Sequence, residues 1–348
     1  MSNFVCNNND INDINNKLPF VSICTPTFNR RPFIPTMLRC FEIQDYPKDL
    51  IEWIIIDDGT DKIEDLVTHI PQIKYFKYDE KLSLGKKRNI SHSKCKGDII
   101  VYMDDDDYYP PERISHAVET LLQNPDILCA GSSCMHIFFK HNNQMVQFGP
   151  YGPNHATAAT FAFRKELLLQ TSFDENACLA EERSFLKDYT IPFLQLDTMK
   201  TILVFSHIHN SFDKKILLKD GENNFMKSVS KTVEDFVKEP DILQFFMKDI
   251  DELLENYKPG DPIFKPDVLK QLSEIQIKRE EKIQEYQKVM NSPPFMDLQN
   301  KLNQMSVFNQ ELNMENNLLK DKNKYLETKI TQLIQDLIEL KKQQKQIK

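Results

Sequence analysis

Three short apolar runs, each passing without a spacer into polar residues, restrict the fold of this chain more than any other feature. They are "LPFVSICTPTFN" from Leu18, "IEWIIIDDGT" from Ile51 and "GDIIVYMDDDD" from Gly97. Apolar runs of this kind, lacking period-two alternation, predict strands buried on both faces. Helix-compatible segments, "RPFIPTMLRCFEIQ", "SLGKKRNISHSKCK" and "PPERISHAVETLLQN", separate and follow them. The alternation predicts an α/β fold with a mostly parallel sheet and flanking helices. Ligands of such sheets sit beyond the carboxyl ends of the strands. There the sequence gathers Thr25 and Thr27, Asp57 and Asp58, and Asp104 to Asp107. Three loops should converge on one crevice.

Four consecutive aspartates repel one another, by roughly 1 to 4 kcal/mol for a pair a few ångströms apart. They require water, a cation, or both. In an extended segment alternate residues point the same way, so Asp104 and Asp106 would share a face. Paired hard oxygens suit Mg²⁺ or Mn²⁺, ions that keep positions open for water and substrate phosphates. In "DDGT", Asp58 either makes an Asp-Gly turn or accepts a hydrogen bond from a base or ribose. Lys86, Lys87 and Arg88 open a predicted helix, where cations oppose the helix dipole unless they face an anion such as phosphate.

After about Leu128 the pattern is less regular, with strand-like "ILCAGSSCMHIFF" and "TILVFSHIH" around a helix candidate "EERSFLKDY". Residues 216–291 read as a helical extension ended by "NSPP". From 296 to 348 a heptad series follows, with Met305, Leu312, Leu319, Leu326, Leu333 and Leu340 at d and Leu302, Asn309, Asn316, Asn323, Ile330 and Leu337 at a. Such a seam predicts a parallel homo-oligomeric coiled coil, a dimer or trimer, with the three Asn layers restricting register. Residues 1–17, rich in Asn and Asp, predict a disordered tail ahead of an α/β domain over 18–215.

A net charge of −8 supplies no basic field for nucleic acid. Seven cysteines without a C-x-x-C pair suggest neither a zinc site nor a redox motif. No apolar run reaches the roughly 18 residues needed for a membrane span. With no basic, apolar leader at the start, the expectation is a cytoplasmic protein.

Taken in order, "VSICTPTFNR", "IIIDDGT", "LGKKRNISHSKCKGDIIVYMDDDDYYPPERI" and "AEERSF" resemble a family-two glycosyltransferase of the GT-A fold, over about residues 20–212. The central segment is the specific part, with Gly85, Arg88, Asn89, Gly97 and the aspartates in the family's pattern. The resemblance implies a Rossmann-like GT-A sheet, a nucleotide-sugar donor (usually a UDP-sugar), a divalent cation and inversion at the anomeric carbon. The acceptor would be a glycan, a protein or a small molecule. It would place Thr25, Pro26, Thr27 and Asp58 around the base and ribose and Arg88 on the nucleotide side. Asp104 and Asp106 would form the acidic motif, with Asp106 the direct metal ligand, Asp104 beside it and Asp107 assisting, and Asp105 would lie with Asp104 on the cofactor side. The family's base is the acid of a Glu-Asp pair opening a helix. Here the pair is Glu181-Glu182, with Glu182 the first choice as base and Glu181 the second. "SHIHNSF" resembles a His-Asn segment near the diphosphate; spacing does not choose between His207 and His209, and His209 is carried as a metal-side candidate. His155 and Thr157 would lie on the acceptor side.

Two other readings compete. A nucleotidyltransferase on a related sheet would open with a Gly-rich phosphate loop, and "TPTFNRR" has no glycine. An inactive domain carried by a coiled coil would be a structural protein.

Overall fold

The computed structural model describes residues 18–218, 221 and 224–346. The Asn-rich segment 1–17 lies outside them. All three apolar runs form strands: β1 (Val21–Thr27), β2 (Ile51–Asp57) and, after β3 (Ile73–Lys77), β4 (Ile99–Tyr102). They pair in parallel in the order β3-β2-β1-β4. The sheet is then extended by β8 (Ala162–Arg164), β5 (Cys129–Gly131) and β9 (Phe193–Gln195), with β8 antiparallel to both its neighbours. Every residue of β2 and β4 is buried, which is why those runs read as continuous rather than alternating.

Helix α1 (Ile34–Glu42) covers the sheet with Ile34, Met37, Leu38 and Phe41, and Phe41 packs on Trp53 of β2. Helix α2 (Leu84–Lys94) starts at Ser83, whose hydroxyl accepts from the Lys86 amide. Gly85 in its first turn passes so close to the 174–177 loop that a Cβ would lie 2.0 Å from the Asp174 carbonyl oxygen. Helix α3 (Arg113–Gln123) lies where the sequence predicts it.

Strand β3, with only partly buried side chains, has no apolar run to announce it. In the second sheet, β10-β6-β7-β11, the strands β6 (Met135–Phe139) and β10 (Leu203–Ser206) lie in the two strand-like pieces of the sequence, whereas β7 (Gln144–Phe148) and β11 (Met226–Ser228) have no such run. The piece read as one strand around 127–139 is split between the two sheets at Ser132 to Cys134.

The extension is not a uniform helical region. It opens with β11, continues through short helical turns between Val233 and Asn256, and sends Phe236, Ile242 and Phe246 into the main core, Phe246 stacked 4.1 Å from Phe205. Tertiary burial, which a local pattern does not reveal, overrides the boundary read near residue 215. Two compact units part between Glu274 and Ile275, inside α5 (Pro266–Met290) rather than at "NSPP". The second unit holds the rest of α5 and α6 (Pro293–Gln346), whose heptad side chains from Leu302 to Leu340 are exposed. No helix among the described residues is long and apolar enough to cross a membrane.

Candidate active site

The carboxyl ends of β1 and β4 and the start of α2 meet at one crevice. Its walls are Pro26, Phe28 and Arg30 after β1, Lys81 to Arg88 before and within α2, and Asp104, Asp105 and Asp106 after β4. A fourth wall comes from Cys178, Ser211, Lys265, Asp267 and Val268, which no sequence reading had placed there.

The acidic loop bends instead of continuing the strand, so the simple alternation of faces fails: Asp104, Asp105 and Asp106 all reach the crevice. Arg30, which local pattern gave no reason to single out, stands between two of them, its Nε 3.5 Å from Asp105 Oδ1 and its Nη2 3.2 Å from Asp106 Oδ2. Burial and then the Asp106 charge push Asp105 up to about 7. Burial, together with the charges of Asp106 and Glu181, raises Asp104 against the pull of Arg88. Asp107 is likewise pushed up by burial and Asp106. For Asp106 burial works the other way from its partners, and Arg30 wins, holding it well below the carboxylate range. The loop therefore crowds together more carboxyl groups than Arg30 can pair with, an excess that disfavours ionising all of them.

That excess bears on a divalent cation. Asp104 Oδ1 is buried with no hydrogen-bond partner, and a surplus of hard carboxylate oxygens fits Mg²⁺ or Mn²⁺. Among the described residues no three His, Cys, Asp or Glu side chains are gathered as a metal cluster. Of the three aspartates that line the crevice, Asp104 and Asp106 are the pair that would hold such an ion.

At the histidine segment the structure chooses against the sequence candidate. His207 reaches the loop, its Nε2 3.2 Å from Asp106 Oδ2 and 2.8 Å from Asn210 Nδ2. Burial keeps His207 down, to about 3. His209 instead packs on Gly260, where a Cβ would fall 2.5 Å from its Nδ1. Alternate positions in this turn face opposite ways, and only the three-dimensional path says which way is inward.

Several carried-over residues serve the scaffold. The Thr25 hydroxyl donates to the Met103 carbonyl and accepts from the Trp53 indole, inside the sheet. Both Asp58 oxygens are occupied, Oδ1 by Lys87 Nζ at 2.7 Å and Oδ2 by the Leu82 amide at 2.6 Å. Thr27 is buried with its hydroxyl toward Asp105, and Pro26 lines the crevice.

Arg88 ties the two acidic groups together. Its Nε donates to Glu181 Oε1 at 2.9 Å, its Nη2 lies 3.8 Å from Asp104 Oδ1, and the guanidinium sits 4.4 Å above the Tyr102 ring. Burial would lower Arg88, but Glu181 and Asp104 more than offset it and hold it above its ordinary value. Helix α4 (Glu182–Phe185) has Glu181 at its cap and Glu182 at its first position. It is shorter than "EERSFLKDY" suggests because Lys187, Asp188 and Tyr189 all have positive φ, of 49°, 54° and 62°. Glu182 has no ion-pair partner among the described residues, and burial followed by the Glu181 charge pushes it up to about 7. His155 is packed between Tyr151 and Tyr189, 4.9 Å from each, and the Thr157 carbonyl accepts from the Thr160 hydroxyl.

Residues 22–188 match the family described as Glycosyl transferase family 2. A poly(ribitol-phosphate) beta-N-acetylglucosaminyltransferase of Staphylococcus aureus, TarS, is 29% identical over 109 residues, which cover 28% of this chain and 18% of that protein. An uncharacterized glycosyltransferase of Haemophilus influenzae is 30% identical over 121 residues, covering 33% of this chain and 47% of the relative. The match therefore spans less than half the length of either curated relative. Among solved structures, the mannosyltransferase PcManGT from Pyrobaculum calidifontis, in complex with GDP-Man and Mn²⁺, is similar at a TM-score of 0.45 and 14% identity, over 81% of this chain and 83% of that one.

Proposed function

We propose, from the premise that residues 22–188 of this chain are a glycosyl transferase family 2 domain, that the protein moves a sugar from a nucleoside-diphosphate donor, a UDP-sugar, to an acceptor hydroxyl with inversion. The observation that carries this reading is the Arg88 bridge, which joins a diphosphate-type acidic loop to a pair of glutamates of which one is poised near neutrality.

Within this reading the donor diphosphate enters between Arg30, Arg88 and the acidic loop. Asp104 and Asp106 would hold Mn²⁺ or Mg²⁺, which when bound neutralises charge on the leaving diphosphate. Glu181, neutralised by Arg88, fixes that guanidinium and raises its neighbour. Glu182 takes the proton of the attacking hydroxyl; a group that titrates near the working pH suits that role. Free thiols at all six described cysteines support a reducing, cytoplasmic setting.

The test is product analysis with a panel of UDP- and GDP-sugars and Mn²⁺. Slow release of nucleoside diphosphate, abolished by excess chelator, is expected. Turnover undiminished by chelator would remove the cation from the reading. Pyrophosphate as product would point to a nucleotidyltransferase, and no product at all to a scaffold.

The exposed seam of α6 supports assembly as a parallel dimer or trimer, because burying such side chains gains about 1.5 to 3 kcal/mol each. Light scattering should give a larger assembly for the full chain than for one ending at Asn291. Replacing Asn309, Asn316 and Asn323 with Ile should raise the melting temperature and broaden the distribution of states. The same mass per particle for both chain lengths would refute the coiled coil.

A further inference from the structure

Three residues of the fourth wall, Lys265, Asp267 and Val268, belong to a strap of residues 257–271, beyond the end of the family match at 188. This strap is fastened at both ends. On the incoming side the Tyr257 hydroxyl donates to Asp61, the Asn29 amide donates to the Pro259 carbonyl at 2.8 Å, and Gly260 packs on His209 without room for a side chain. On the outgoing side Asp267 receives Lys81 Nζ at 2.5 Å and the Cys178 thiol, and Gln271 bonds the backbone of Asn176 and Cys178. Between these fastenings the strap delivers one side chain to the crevice, Lys265.

Three ammonium groups gather over the Phe28 ring, those of Lys81, Lys87 and Lys265, at 5.3, 5.9 and 5.9 Å from its centroid. Two of them are already paired, Lys81 with Asp267 and Lys87 with Asp58. Lys265 is not: it is 6% exposed, its Nζ donates to the Ser211 hydroxyl at 2.8 Å, and no carboxylate lies at ion-pair distance from it among the described residues. A buried ammonium without a counter-charge is unfavourable, the more so with the like charges of Arg30 and Lys87 acting on it; the attraction that opposes them comes from Asp105 and Asp106. Two further donors in the same walls, Arg30 Nη1 and Arg88 Nη1, are buried with no acceptor. Unspent cationic donors converging from three directions describe the outline of a polyanion, not of a sugar ring.

We propose that Lys265 binds the diphosphate of the donor, and that the strap of residues 257–271 is a working part of the donor site. This rests on the reading of the crevice as a nucleoside-diphosphate site and adds to it a contact from outside the family domain. A structural lysine would cost stability when removed. A ligand-directed one, held buried against its own electrostatics, should do the opposite.

The experiment uses the full chain with K265M, which keeps the aliphatic stem against Phe28, K265Q, which can keep the bond to Ser211, and K265R, which keeps the charge. Calorimetry with Mn²⁺ measures UDP, GDP and the corresponding nucleosides, alongside the melting temperature of each free protein. In K265M and K265Q the affinity for the preferred diphosphate should fall about tenfold to a hundredfold, the loss of a charged hydrogen bond. Nucleoside binding should be unchanged, K265R should stay within a few-fold of the parent, and the free K265M protein should melt no lower than the parent. Diphosphate affinity equal to the parent in both neutral variants would overturn the proposal and leave the glycosyltransferase reading standing. So would equal losses for nucleoside and diphosphate together with a lower melting temperature, which would make Lys265 a packing residue. If the parent itself binds neither diphosphate, both the proposal and the reading beneath it fall.

Discussion

On the proposed reading, replacing Glu182 with Gln should lower sugar transfer by about a hundredfold to ten-thousandfold and leave nucleoside-diphosphate affinity near the parent value, the range expected on loss of a general base. The reasoning is local. Burial and the neighbouring Glu181 charge raise Glu182 to about 7, so at neutral pH a substantial fraction is ionised and able to accept a proton. Because the ionised form is the active one, the transfer rate should rise with pH through about 7 and level off above it. Glu181→Gln removes the negative charge that helps raise Glu182, so the rising limb should move to lower pH, with a smaller loss of maximal rate than in Glu182→Gln. Rate profiles of the two variants, with calorimetric titration of UDP, decide between the glutamates. If diphosphate affinity falls in step with the rate in Glu182→Gln, this carboxylate belongs to the donor site and not to the acceptor.

Replacing Arg88 with Met should cost the fold about 3 to 5 kcal/mol, the penalty for leaving one member of a buried ion pair alone. Glu181 is 5% exposed and receives its hydrogen bond from Arg88 at 2.9 Å. The same guanidinium lies across Tyr102 and is the nearest cation to Asp104. Its removal therefore strands a buried carboxylate and unbalances the acidic loop at once. Adding Glu181→Gln should restore part of the lost stability, since the stranded charge is then gone, and a double-mutant cycle from urea denaturation measures the coupling. A loss of less than about 1 kcal/mol in Arg88→Met, the size typical of exposed pairs, would mean that water reaches the pair and that the bridge does not organise the site.

The carboxylates were legible because they follow strands whose burial is written in continuous apolar runs. Glu181 and Glu182 were legible through resemblance, while their division of labour was not. It depends on Arg88, 93 residues earlier in the chain, choosing Glu181 as partner. Arg30 went unremarked, and His207 was passed over for His209, because nothing in "FNRR" or "SHIHN" marks which of two adjacent or alternate residues faces inward. The extension misled for a related reason. Its spacing suits helices, yet β11 and the buried Phe236, Ile242 and Phe246 join it to the main hydrophobic core.

Local periodicity and composition determined what is local: three parallel strands, the helices between them, the acidic loop at their carboxyl ends and the long heptad helix. These follow from neighbours in the chain, since burial on both faces dictates an apolar run and a turn dictates its polar end. Tertiary structure alone decided which charges are spent and which are free. Asp58 is consumed by Lys87, Thr25 by the sheet and Lys81 by Asp267, whereas Lys265 is left unpaired against the crevice. Ion pairing depends on distances of a few ångströms between residues tens to hundreds of positions apart, and no spacing within the chain encodes those distances until the strap has closed.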